Sequence, residues 1–78
     1  MKRVADKIVD PIRRVTLAVG ADTFTTELLR ENAERWHVLL VSVRGKGERQ
    51  VEGIEARSCL EALQVSERIA LELVAAAD

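Results

Sequence analysis

A chain of 78 residues with 47% hydrophobic and 32% charged side chains is too short for several domains and too apolar for a disordered segment. One cysteine and one histidine exclude an intrachain disulfide and a structural zinc site made of soft ligands. Twelve basic against 13 acidic side chains leave a net charge of −1, without the basic excess that marks most nucleic-acid and membrane-surface proteins.

Residues 1–78 are thus expected to form one small domain. A chain this short buries only about 60% of its unfolded surface, so its own core is marginal. With disulfides and metals set aside, association is the remaining aid to stability. No apolar run approaches the roughly 18 residues of a membrane span. The basic start, Lys2-Arg3 and Lys7, has no apolar stretch behind it, so no signal peptide is expected. An unpaired cysteine fits a reducing compartment, and a cytoplasmic location is expected. Neither a cofactor nor a metal is expected.

In chain order, Val4, Ile8, Ile12 and Val15 recur at helical spacing, but Asp10-Pro11 interrupts them. Residues 2–9 predict a short helix or turn that breaks there. The alternative takes Asp10 as N-cap, Pro11 as first helical residue and Gly20 as the stop. Residues 12–19 are rich in β-branched side chains and end at Gly20-Ala21-Asp22, which predicts a strand. In residues 23–30, Phe24, Thr26 and Leu28 alternate, while Phe24 and Leu28 also stand one helical turn apart. The threonines favour a strand, with residues 31–34 as the turn. Residues 36–44 form the clearest strand, Gly45-Lys46-Gly47-Glu48 a turn, and residues 49–56 the returning strand. Val51 and Ile54 are out of phase, and Gly53 between them predicts a bulge. Ser58-Cys59-Leu60-Glu61 is a capping box, opening a helix from Cys59 to about Ala76. The expected fold is α+β: a small antiparallel sheet of three to four strands with a long C-terminal helix on one face.

On a helical wheel, Cys59, Ala62, Leu63, Ser66, Ala70, Leu73, Val74 and Ala77 form a stripe toward the sheet. Leu60, Val65, Ile69 and Leu71 flank it. Glu61, Gln64, Arg68 and Glu72 share a narrow polar side, and Glu67 stands among apolar neighbours. The apolar arc is about twice the roughly 100° that one core contact needs. Either residues 1–30 cover the surplus, or part of it is a partner surface at Leu60 and Leu71, for a target or for a second copy in a homodimer.

The signals for catalysis are sparse. His37 has no evident carboxylate or nucleophile in sequence reach. Cys59 sits near a helix N-terminus, where a thiolate is stabilised, but the wheel turns it into the apolar stripe. Gly45-Lys46-Gly47 lacks P-loop spacing and precedes a strand, so it predicts a turn. Glu48, Glu52 and Glu55 alternate with Arg49 and Arg57 as on a solvated face.

Arg44, Lys46, Arg49 and Arg57 gather around the hairpin with Trp36 nearby. In outline, residues 35–70 resemble integrase arm-binding domains, which grip DNA with a three-stranded sheet. That resemblance implies phosphate contacts by these cations, which Glu48, Glu52 and Glu55 oppose. The run Ile54-Glu55-Ala56-Arg57-Ser58-Cys59-Leu60-Glu61-Ala62, after a glycine hairpin, resembles very small ββα proteins of phages and mobile elements, including anti-CRISPR inhibitors. This second resemblance covers the chain from Trp36 onward. It implies a compact, non-catalytic protein that occupies a surface of a larger target. The favoured expectation is a non-enzymatic protein-binding inhibitor acting by steric occlusion, with Leu60, Leu71, Arg44, Lys46, Arg49, Arg57 and Trp36 as contact residues. The alternative is a nucleic-acid-binding domain.

Overall fold

A computed structural model describes residues 12–77. The expected segment 2–9 and the break at Asp10-Pro11 lie outside the described residues. The elements are β1 (Ile12–Val19), β2 (Asp22–Asn32), β3 (Arg35–Val43), β4 (Gly47–Gln50), β5 (Glu55–Ala56) and α1 (Cys59–Ala77). The strands run β1-β2-β3-β4 in one antiparallel sheet, and β5 also pairs with β3. This is the α+β arrangement expected, with α1 packed on one face.

Three turns set the meander. Gly20-Ala21 is a two-residue loop closed by Val19 opposite Asp22. The φ of 61° at Gly20 belongs to the primed turns whose twist matches paired strands. This strand and turn correct the alternative of a helix from Pro11 to Gly20. β2 extends through Asn32, so the next turn is only Ala33-Glu34, tighter than the four residues expected. Asn32 Oδ1 accepts the Glu34 N–H at 2.9 Å, and this side-chain bond holds the chain reversal. The third turn, residues 44–46, brings Gly47 opposite Val43.

The return strand is interrupted as Gly53 implied. β4 ends at Gln50, although Val51 N–H still donates to Leu39 O at 2.9 Å. Gly53 then takes a φ of 79°, and β5 resumes pairing opposite Trp36 and His37. The detour turns Val51 into the core and packs Ile54 against it.

One face of the sheet carries the core. Phe24, Thr26 and Leu28 of β2 stand beside Val43, Val41 and Val38 of β3, all essentially inaccessible. A bulge between Glu27 and Leu28 keeps the alternation in phase past Leu39. Ser58 opens the helix as its sequence implied: its Oγ accepts the Glu61 N–H at 3.0 Å. Glu61 reaches one residue further back than the usual box, accepting from the Arg57 N–H at 2.6 Å.

Small side chains set the depth of the helix. Ala62, Ser66 and Ala70, spaced by four, are each 0% exposed. Ser66 Oγ lies 2.8 Å from Thr26 Oγ1, joining helix to sheet. Ser66 also contacts the Ala62 carbonyl at 2.8 Å, and Thr26 the Leu40 carbonyl at 3.1 Å. With one proton on each hydroxyl, two of these three contacts can be hydrogen bonds at any moment, and in each such arrangement both hydroxyls are bonded. Of the expected flank, Ile69 is buried and Val65 partly so, whereas Leu60 and Leu71 stay 67% and 51% exposed. Ala77, placed on the inward stripe, is exposed.

Two outcomes check this account. Ser58→Ala removes the cap bond and should cost about 0.5–2 kcal/mol, read as a fall in melting temperature of several degrees. Ser66→Leu should cost about 1–3 kcal/mol by overpacking, more than Ser66→Ala, in urea unfolding. An equal or reversed order would mean that the helix does not make its closest approach at Ser66.

Candidate functional site

The four hairpin cations do not gather on one patch. Arg44 and Lys46 lie in the turn after β3. Arg49 sits opposite Val41, on the face that carries α1, and Glu72 of the helix takes its guanidinium at 2.7 Å. Arg57 lies after β5, which pairs with the other end of β3. By strand rise, the two ends of β3 are roughly 25 Å apart. Glu48 faces the opposite side of the sheet, beside Ser42.

Trp36 is only 6% exposed and offers no open ring to a partner. Its indole is covered by two guanidinium groups, with Arg13 at 5.9 Å and Arg30 at 5.8 Å from the ring centroid. Strand register explains the meeting. Arg30 is directly opposite Trp36, and Arg13 is opposite Leu28 on the same face.

Leu60 has a partner that sequence reasoning missed. It faces Leu17 of β1 across a groove of about 200 Å³, floored by Phe24 and Leu63, with Gln64 and Glu67 also on its lining. Leu17 is 40% exposed. Alternation with Val15 and Val19 places Leu17 on the core side of β1, but only the helix position reveals that it is left uncovered. The described part of the segment expected to cover the helix surplus therefore leaves both Leu60 and Leu71 open. Leu71 lies outside the groove lining.

His37 does have a carboxylate, contrary to the expectation. Glu31 Oε1 lies 2.7 Å from Nε2. An ionised carboxylate only accepts, so the imidazole donates. The irregularity between Arg30 and Asn32 and the tight turn that follows fold Glu31 back toward His37. Arg35 links Glu31 at 3.5 Å with Glu55 at 3.7 Å, so the group is a partly exposed charge network. Cys59, the nucleophile considered, packs against the core on the helix side. Gly45 and Lys46 lie in a turn, as expected, whereas Gly47 and Glu48, expected in the same turn, already belong to β4. Among the described residues, no group of three or more His, Cys, Asp or Glu side chains could hold a metal ion. No described helix is long and apolar enough to cross a membrane.

The His37 hydrogen bond, offset in part by desolvation and aided by Arg35, holds the Glu31 carboxyl below its ordinary value of 4.5. A carboxyl depressed in the folded state contributes stability above its unfolded value, lost as pH falls through the folded one. The Glu31 side-chain carbon resonance should titrate below the ordinary carboxylate range in the native protein. In His37→Ala its midpoint should rise; an unmoved midpoint would remove His37 as the cause.

Comparison with protein families, with curated proteins and with solved structures finds no match to this chain, so the functional argument rests on the surface itself.

Proposed function

We propose that this protein is a non-enzymatic binding module that docks on a larger protein through the groove between β1 and the first half of α1. The observation that carries the proposal is the meeting of Leu17 and Leu60 across one concave patch. They are two of the four large apolar side chains left exposed among the described residues. Scattered exposed leucines are ordinary, whereas facing ones that share a groove mark an interaction surface. Complete burial of a leucine contributes about 1.5–3 kcal/mol, and a good part of that is still unused at Leu60. A domain this small gains correspondingly from binding, because whatever binds only the native state stabilises it.

The resemblance to small phage and mobile-element proteins extends the proposal to an inhibitor that works in the cytoplasm by steric occlusion. Catalysis has less support, since His37 and Cys59 lie on opposite sides of the sheet. DNA binding through the hairpin is also disfavoured, because Glu72 neutralises Arg49 and Arg57 lies far from the turn.

The test is Leu17→Glu with Leu60→Glu, compared with wild type in affinity capture from the native host and in light scattering. The double variant should keep its circular dichroism spectrum and lose its specific partner by at least about tenfold, which 1.4 kcal/mol represents. A second copy as partner would show instead as a halved mass. Retention of fold, mass and partner together would rule out the groove.

A further inference from the structure

Outside the groove lining, but on the same face of the sheet, stand two arginines that bear on the choice of occupant. We propose that the face binds an acidic, apolar segment of a partner protein, with carboxylates on Arg13 and Arg30 and an apolar side chain between Leu17 and Leu60. The inference rests on the docking proposal above and adds the chemistry of the partner.

Register places the parts on one face. Arg13, Val15 and Leu17 stand opposite Leu28, Thr26 and Phe24, whose side chains are all buried under the helix side of the sheet. Arg30 joins them, opposite the buried Trp36. Arg13 and Leu17 are four residues apart on one strand, or roughly 13 Å. A partner segment in extended form spans that distance with about four of its own residues.

Arg13 and Arg30, like Arg44, Arg57 and Arg68, have no carboxylate partner among the described residues, but among the described arginines these two alone share an aromatic ring. Glu27 pairs with Arg14 at 2.8 Å, Glu31 with Arg35 at 3.5 Å, and Glu72 with Arg49 at 2.7 Å. Among the described residues, no carboxylate meets Arg13 or Arg30; what each meets is the indole of Trp36. The ring attracts each guanidinium before any ligand arrives, while the N–H donors stay free of any carboxylate of the described residues. Two cations held on one ring lie no more than about 12 Å apart and repel each other. Incoming carboxylates relieve that repulsion, and their bonds to arginine can be bidentate.

The rest of the surface selects against a nucleic-acid backbone. The groove beyond Arg13 is lined by Leu17, Phe24, Leu60 and Leu63, and Glu67 stands on it. A continuous run of phosphates would meet apolar walls and a like charge there. A peptide with acid at one end and an apolar side chain at the other meets neither.

The experiment selects a phage-displayed library of random 12-residue peptides on the folded protein and measures synthetic copies of the winners by fluorescence anisotropy. Enriched peptides should combine Asp or Glu with Leu, Ile or Phe about four positions away. Their binding should weaken as salt rises from about 0.05 M to 0.5 M. It should weaken at least about tenfold in Arg13→Gln with Arg30→Gln, and should shift the emission of Trp36, the single tryptophan of the chain. The salt series needs no variant, so the proposal stays testable if the glutamine pair unfolds. Winners that need Leu17 and Leu60 but show no acidic bias or salt dependence would overturn this inference and leave the groove standing. Absence of any winner that needs Leu17 and Leu60 would overturn both. A duplex DNA oligonucleotide held more tightly than the peptides through Arg13 and Arg30 would overturn the inference in favour of nucleic acid. Self-association lost in the glutamine pair, seen by sedimentation, would overturn it in favour of a second copy.

Discussion

The close approach of α1 to the sheet at Ser66 and Thr26 governs the rest of the molecule. Their hydroxyl oxygens are 2.8 Å apart, and both side chains are wholly buried. That contact is open to the helix only because Ala62, Ser66 and Ala70 present almost no bulk toward Thr26 and its neighbours. Alanines alone would permit the same depth but would leave Thr26 with the Leu40 carbonyl as its one partner. The serine adds a directional bond inside a low-dielectric core, where polar pairing is strong and an unpaired group costly. The result is a helix fixed in position over β2 and β3.

That position decides which surface is left open. A helix with its side chains is about 10–12 Å across, while four strands at about 4.8 Å spacing span more than that. One helix centred on β2 and β3 cannot also roof β1. Val15 and Leu17 face the helix side of the sheet yet remain partly open, and Leu60 overhangs them from the helix flank. The groove is therefore a geometric consequence of covering a wide sheet with one closely seated helix.

Local features were legible in the sequence where a local cause sets them. The run from Ile12 to Val19 with Gly20 behind it, the detour at Gly53 and the cap at Ser58 each depend on a few adjacent residues, and each appears in the fold. The inward stripe of the helix was legible for the same reason, since Ala62, Ser66 and Ala70 recur at the period of one turn. What depends on register across strands was not. Glu31 meets His37 only through an irregularity and a two-residue turn. Trp36 meets Arg13 only because β2 intervenes at a particular offset. Trp36 was grouped with the hairpin cations by its neighbours in sequence, yet its ring belongs to arginines on β1 and β2. Leu60 was legible as surplus apolar surface, but its partner Leu17 required knowing where the helix lies.

The distribution of charge gives the uncovered face its direction. A net charge of −1 hides an uneven arrangement. Arg14, Arg35 and Arg49 are each matched by a glutamate. Exposed pairs of this kind contribute little to stability, about 0–1 kcal/mol each, but they remove local potential from the surfaces they occupy. Arg13, Arg30, Arg44, Arg57 and Arg68 have no such match among the described residues, and of these Arg13 and Arg30 converge on one ring, that of Trp36. A guanidinium drawn to an indole is partly restrained, so less freedom is lost when it binds. Charges at the edge of a groove mainly guide approach and set orientation, whereas buried apolar contacts hold the complex. The two leucines and the two arginines are thus complementary in role: the first supply affinity without direction, and the second supply direction.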